Sequence, residues 1–523
     1  MNRFSRMPFF VQLMLICAGA MMVPAIYGAA VQQNAESRAF FYSGILLASF
    51  ACFIAIARFR GEDTVDRDTK RDRDREGRNQ LLVLVAAYTV LPLALAVPFS
   101  EAIPSTTFFN TYFEMVSALT TTGATVFDDP ARLPRTVHLW IALVGWLGGF
   151  FAWVTAIAVL APLNLGGFEV ISARPRSTGN ASASRTSQIA RVAAGPERLS
   201  RYTQRLFPVY FGLTIALWFA LAMAGSSPFV ALCHAMSTMA TSGISPVGGL
   251  TGEHHSLGGE FLIFAFLMLA LSRKTFAVEQ SSIDFKPLYR DSEMKIAAAL
   301  LIVLPTILVA RHWIAAYEID PASVQTASTI VQTIQSWWGS LFMVMSFLTT
   351  SGFESQYWDA ARLWSGLQAP GVLLLGLAVF GGGVATTAGG VKLLRLYALV
   401  RHGEREIEKM ISPKSVGGAG ATARRLRRQG AYVAWVYFMF FALTIAVVMM
   451  GLALTGQPFE QAAVFTVSAL TTTGPLAQFA AETAYSYAGL SDAAKAILAA
   501  TMVLGRLEML AIVALFNPDF WRK

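Results

Sequence analysis

The sequence predicts an all-α polytopic membrane protein with about ten transmembrane helices and four re-entrant half helices. These form four pseudo-symmetric helix–pore loop–helix repeats around one pore. Three observations predict this: an apolar composition with few charges, a one-sided distribution of Lys and Arg, and a short Thr/Ser-Gly motif that recurs four times. Of 523 residues, 55% are hydrophobic and 14% charged, against about 25% charged in a soluble domain. The mean hydropathy is +0.51. Lipid is the solvent that such a chain suits.

Crossing the hydrocarbon takes about 20 apolar residues per helix. Candidate spans lie at 8–30, 39–57, 81–99, 137–163, 206–225, 257–271, 294–316, 371–400, 431–456 and 493–516. The first follows Arg3 and Arg6, as a signal peptide would. It is longer than the roughly 7–15 apolar residues of a signal and is followed by another span, so it reads as a retained helix. With the N-terminus in the cytoplasm and one crossing per span, 34 of the 41 Lys and Arg fall in cytoplasmic segments, six outside and Arg506 within a span. That bias fixes the orientation, with both termini cytoplasmic. The same division gives two N-terminal helices with a charged cytoplasmic loop (1–79) and four repeats, at 80–175, 200–275, 292–402 and 430–523.

Other chemistries are poorly supported. Cys17, Cys52 and Cys233 form no CxxC pair, so neither a disulfide framework nor a zinc site is expected. His254 and His255 lack ligand spacing and read as a wet loop. The net charge of +9 is no sign of nucleic-acid binding, because the basic residues flank apolar runs. Mixed charges over Glu62–Arg78 read as a solvated linker or helix extension, and the Ser/Thr/Gly/Asn-rich Ser177–Ser187 as a flexible loop. The sequence contains no GxSxG, HExxH, P-loop or paired catalytic carboxylates, so an enzyme is not expected, nor an organic cofactor. An ion-coupled small-solute transporter would need ionisable residues at mid-membrane, and the chain offers little beyond Arg506.

The repeat carries the functional reading. Four outside connections contain Val116–Thr125 (VSALTTTGAT), Ala235–Ile244 (AMSTMATSGI), Val344–Phe353 (VMSFLTTSGF) and Val467–Pro475 (VSALTTTGP). Their glycines, Gly123, Gly243, Gly352 and Gly474, are spaced 120, 109 and 122 residues apart, and each copy sits between two spans. Each follows a partly apolar stretch, at 106–119, 228–239, 335–348 and 458–470, too short to cross the bilayer. The unit is therefore span, half helix, irregular strand, span. Irregular backbone at membrane depth must line a cavity or be buried in protein.

A half helix descending from outside aims the negative end of its dipole at the membrane centre, which favours a cation there. Strands at Thr121-Thr122-Gly123, Thr241-Ser242-Gly243, Thr350-Ser351-Gly352 and Thr472-Thr473-Gly474 then offer rings of backbone carbonyls in place of an ion's water shell. Oxygen without a charged ring suits a monovalent cation that is quickly released. A lone TTG would be an ordinary small-residue helix contact; four in equivalent places are not.

At these residues the chain resembles the Trk/Ktr/HKT superfamily of cation transporters, and within it the bacterial TrkH/TrkG potassium-uptake membrane subunits. Gly381–Lys392 (GGGVATTAGGVK) is similar to the family's broken second helix of the third repeat, and Gly505-Arg506-Leu507-Glu508 with Leu515–Arg522 to its last helix. The resemblance implies potassium as the transported ion, bound by the four strands. It implies an intramembrane gate over Gly381, Gly382, Gly383, Thr386, Thr387, Gly389, Gly390 and Lys392, narrowed by Arg506. It also implies a homodimer in the bacterial inner membrane and a cytoplasmic nucleotide-binding regulatory subunit of TrkA type.

The residues agree on the gate. A mid-helix Arg costs roughly 2.5–3.5 kcal/mol on insertion scales and so faces an interior, and five glycines within ten residues break a helix. Glu114 and Glu460, in two half helices, are expected to brace the strands by hydrogen bonding. Arg424–Arg428 would meet the regulatory subunit or anionic lipid, or serve as a plain positive-inside anchor. The second strand departs from the family's usual Thr-Gly-Gly-Phe, and the fourth from Asn-Asn-Thr-Gly-Pro-Gly. A sodium-permeable or non-selective member of the same superfamily is therefore the alternative. Gly123 stands where plant relatives that prefer sodium carry Ser, and so points to potassium.

Overall fold

The computed structural model describes residues 9–59, 70–163, 165–170, 195–250, 256–272, 291–319, 327–365, 370–411, 428–481, 483–509 and 511. His254, His255, Ser177–Ser187, Arg424–Arg427, Leu515–Arg522 and part of Glu62–Arg78 lie outside the described residues.

Helices α1 (Phe9–Ala30) and α2 (Asn34–Phe59) form an antiparallel hairpin closed by the Ser37 hydroxyl on the Ala25 carbonyl at 2.6 Å. Gln33 at its turn accepts from the Thr136 amide and hydroxyl. This fastens the hairpin to the first repeat.

That repeat comprises α3 (Lys70–Thr89), α4 (Leu91–Ala102), α5 (Phe108–Leu119) and α6 (Arg135–Thr155), with a π-turn at Ala156–Leu160. The α3–α4 break falls just before Pro92, which has no amide to donate. The second repeat comprises α7 (Gly195–Met223), α8 (Pro228–Ala240) and α9 (Leu257–Leu267), the last running into a 3₁₀ turn at Met268–Leu271. The third holds α10 (Ser292–Ile319), α11 (Ala327–Leu348), α12 (Trp358–Ser365), α13 (Pro370–Phe380) and α14 (Leu393–Ile411). The fourth holds α15 (Arg428–Leu454), α16 (Phe459–Leu470), α17 (Leu476–Phe479) and α18 (Asp492–Leu507).

Helices α5, α8, α11 and α16 are the predicted half helices. Three begin at a punctuation residue: the Thr107 cap, whose hydroxyl accepts from the Asn110 amide, and prolines 228 and 458. The third, predicted at 335–348, is longer. No Pro or Gly interrupts residues 327–338, so α11 starts eight residues earlier, at Ala327.

Seven helices among the described residues are long and apolar enough to cross a membrane. Three of the ten predicted spans are not continuous long helices. The apolar helical stretch at Leu257–Leu271 is short, 371–400 breaks at Gly381, and the helix within 493–516 ends at Leu507.

Packing repeats as the sequence does. Each half helix touches the first and second spans of its own repeat and the second span of the repeat before. The cycle closes, because α5 of repeat 1 packs on α18 of repeat 4. Trp140, Trp153, Phe342, Phe347 and Phe465 are fully buried in this interior, while Leu46, Phe53, Val372 and Leu443 face outwards, as lipid-facing side chains do.

Candidate functional site

The four motif strands share one backbone. Thr121, Thr241, Thr350 and Thr472 all take positive φ, at 56°, 50°, 57° and 55°. A left-handed non-glycine residue costs about 1–2 kcal/mol, so surrounding contacts impose this conformation four times over. In each strand the next amide donates to the carbonyl of the motif serine: Thr122 to Ser117 at 2.8 Å, Ser242 to Ser237 at 3.0 Å, Ser351 to Ser346 at 2.9 Å and Thr473 to Ser468 at 2.8 Å. Those bonds turn each strand back on the C-terminal end of its own half helix, where the dipole is negative. The motif serines are thus straps behind the strands, a role their hydroxyls did not announce in the sequence.

The glycines bring the strands together. A Cβ on Gly123 would overlap the Ser242 carbonyl oxygen, one on Gly243 the Ser351 carbonyl oxygen, one on Gly352 would press the Pro475 ring, and one on Gly474 would overlap Ala124. Each strand therefore abuts the next, and the fourth abuts the first. Gly123, Gly243 and Gly352 take φ of 71°, 66° and 75°, which glycine tolerates and other residues resist. The fourth strand differs. Its Gly474 amide donates to the Thr122 carbonyl at 2.6 Å, and the Pro475 ring lies beside all three other motif glycines, which puts that ring near the centre of the four.

One face of this ring opens on a cavity lined by Gly123, Gly243, Gly352 and Pro475 together with Glu354 and Asp128. The other face meets the segment between α13 and α14. Its Thr387 hydroxyl accepts from the Thr241 hydroxyl at 3.2 Å, and its Gly389 amide donates to the Thr350 hydroxyl at 2.7 Å. A Cβ on Gly389 would overlap the Thr471 carbonyl. Residues 381–392 are all buried, and Gly381, Ala385, Gly390 and Lys392 have positive φ, so no helix continues through them. Besides bonds from the Val391 and Lys392 amides to the Val379 and Phe380 carbonyls, the segment has anchors on other elements. The Gly383 amide donates to the Ala270 carbonyl at 3.0 Å, the Val384 amide to a Glu293 oxygen at 2.9 Å, and Arg506 Nη1 to the Thr387 carbonyl at 2.6 Å.

Residues 47–523 match the TrkH family, whose members are described as cation transport proteins. The chain belongs to the TrkH family. It is 28% identical over 516 residues to the Trk system potassium uptake protein TrkH of Salmonella typhimurium, covering 98% of each chain. It is 29% identical over 465 residues to the Trk system potassium uptake protein TrkG of Escherichia coli K12, covering 85% of this chain and 86% of that one. The crystal structure of the potassium transporter TrkH from Vibrio parahaemolyticus superimposes with a TM-score of 0.78 at 25% identity, over 100% of both chains.

In this TrkH-family chain the expected gate residues Gly381–Lys392 and Arg506 come together, and Lys392 bonds the Ala388 carbonyl within its own segment. Tyr88 and Tyr210 lie within electrostatic reach of the Arg506 guanidinium.

The braces behind the strands partly differ from expectation. Glu114 accepts from the Val126 amide at 3.2 Å, fastening the chain beyond the first strand. Glu460 instead is exposed in the first turn of α16, where the positive end of the helix dipole favours an acid. The equivalent work in repeat 4 falls to Tyr487, whose hydroxyl bonds Ser468 and the Gly474 carbonyl. In repeat 3 the brace is Glu260 of α9, which accepts from the Trp338 indole, the Ser355 hydroxyl and the Gln356 amide. Glu260 and Glu293 were legible only as carboxylates in or beside apolar runs, a functional signal by default.

Proposed function

We infer that the protein takes up potassium across the cell membrane, with the four motif strands as its selectivity filter and Gly381–Lys392 as the gate beneath it. The observation that carries this reading is the cyclic contact of four equivalent strands around one axis, each left-handed at the same threonine. Carbonyls of Thr121, Thr122 and Gly123 and their counterparts Thr241–Gly243, Thr350–Gly352 and Thr472–Gly474 replace the ion's water. The Gly381-Gly382-Gly383 turn, Thr386, Thr387, Gly389, Gly390, Lys392 and Arg506 close the path towards the cytoplasm. The relatives' names and the crystal structure's description support potassium as the ion.

The finer assembly follows the same reading: an inner-membrane protein with both termini cytoplasmic, a homodimer in lipid, working with a nucleotide-binding regulatory subunit of TrkA type. The division into repeats at 80–175, 200–275, 292–402 and 430–523 belongs to this proposal, and so do the filter and gate assignments.

The test is rubidium-86 uptake into liposomes holding the purified protein, with potassium or sodium as competitor, for the wild type and Gly123→Ser. Uptake blocked by potassium but not by sodium, and weakened by the substitution, is expected. Equal block by both ions would replace the reading by a sodium-permeable or non-selective pathway, the alternative left open by the departures at Ser242, Thr471, Thr472 and Leu476.

A further inference from the structure

Helix α18 ends at Leu507, and the next residue, Glu508, turns the chain sharply with φ of 68°. Its carboxylate meets Arg395 Nη2 at 2.7 Å. Arg395 lies in the first turn of α14, three residues beyond Lys392, and is fully buried. Its guanidinium carbon sits 3.7 Å over the Tyr437 ring of α15, and its Nη1 donates to the Val391 carbonyl at 3.3 Å. Two residues before Glu508, Arg506 holds the Thr387 carbonyl. Arg506 and Glu508, two residues apart, thus grip the segment in its middle and at its exit into α14. Lys392 lies within electrostatic reach of Glu508, Arg506, Arg395 and Glu293, so the grip is set in a cluster of three cations and two anions.

A buried ion pair is weak as a source of stability, because packed apolar side chains of the same volume serve as well or better. It is strong as a register device, since each charge accepts very few alternative positions. Here it registers two elements that differ in environment. The α18 terminus is buried, whereas α14 runs on to an exposed face carrying Arg401, His402, Glu404 and Glu408.

We propose that Glu508 and Arg395 are positioning residues for the gate: the pair ties α14 to the turn that aims Arg506, so that a displacement of α14 moves Arg506 and Thr387 with it. Tyr437, stacked under Arg395, keeps the pair in register from α15. The proposal rests on the reading of Gly381–Lys392 as a gate.

The experiment measures rubidium-86 flux into liposomes for full-length Glu508→Gln, Arg395→Gln and Arg395→Lys, beside Arg506→Ala as a gate control. Glu508→Gln and Arg395→Gln are expected to raise the maximal flux roughly fivefold or more, the scale of a one-step allosteric coupling. The rubidium concentration at half-maximal flux and the potassium-over-sodium preference should stay as in the wild type. Arg395→Lys keeps the charge and the ring contact and should stay near the wild type. A purely structural pair would lower flux and protein yield together and leave no such split. Should the Gln variants fail to fold, judged by melting temperature and gel filtration, Tyr437→Leu keeps both charges and should raise flux in the same direction by less. If Arg506→Ala raises flux and the folded pair variants do not, the gate stands and the pairing proposal is overturned. If Arg506→Ala also leaves flux unchanged, the gate reading falls and takes the proposal with it.

Discussion

The strands proposed as the filter and the segment proposed as the gate are both irregular backbone buried among helices, yet they are fastened differently. Each filter strand is held from within its own repeat, by an amide returning to a serine six residues before its glycine. The segment at 381–392 bonds its own flanks through the Val391 and Lys392 amides, and beyond them it is held by Glu293 and Thr350 of its own repeat, by Ala270 of the repeat before and by Arg506 of the last helix. Local anchorage makes a part that keeps its shape whenever its repeat is folded. Borrowed anchorage makes a part whose position depends on how other elements sit, which is what a gate needs.

The sharpest break of this comparison is at a filter glycine. Gly243→Ala forces an alanine to φ of 66° and drives its Cβ into the Ser351 carbonyl. Strain of about 1–3 kcal/mol is then set against a ring that has to keep ångström geometry. Rubidium uptake should fall roughly tenfold or more. Gly376→Ala in α13, where a Cβ meets nothing within 4 Å, should leave uptake within about twofold. Equal loss at both positions would mean that close approach of neighbouring strands does not matter to transport.

Next comes a borrowed anchor. Glu293→Gln keeps a neutral acceptor for the Val384 amide but removes the charge-assisted bond. Flux without any partner subunit should rise roughly threefold, with ion preference unchanged. A fall in preference without a rise in flux would place Glu293 with the filter. A local anchor should behave in the reverse manner. Ser346→Ala removes the hydroxyl that donates to the Phe353 carbonyl at 2.7 Å, a bond worth about 0.5–1.5 kcal/mol. The potassium-over-sodium preference should drop about threefold while maximal flux changes little.

What could be read beforehand follows the same division. The filter was legible because local anchorage repeats: four copies of one text have to solve one problem with the same residues. The helix break at Gly381 was legible from its glycines, and the interior position of Arg506 from the cost of an Arg in an apolar helix. The gate's anchors were not. Arg395 and Glu508 are 113 residues apart and share no period, and Val384 and Glu293 are 91 apart. Helical spacing alone puts Glu508 on a different face from Arg506, but the helix stops before it. The left-handed threonines were hidden for another reason. Propensity assigns positive φ to glycine, and here tertiary contacts override it at a β-branched residue.

The smallest expected effect lies at the outer cavity, where the filter meets solvent. Glu354 follows the third filter strand and is half-buried. Burial, with Asp359 adding to it and Arg362 opposing, pushes its carboxyl up to about 7. Above that pH the group is a carboxylate facing a cation path; below it the group is neutral. A negative wall raises the local cation concentration, so half-maximal rubidium uptake should need about twofold more ion at external pH 6 than at pH 8. Stability should move the other way. The folded protein holds this proton more tightly than the unfolded chain does, so the group's contribution grows as pH falls through about 7 and is lost as pH rises. Glu354→Gln should flatten both trends, although Glu114, Asp128 and His138 line the same cavity. An unchanged pH profile in Glu354→Gln would assign the dependence to one of those three. The outer mouth would then be tuned from repeat 1, the source of all three, and not from repeat 3.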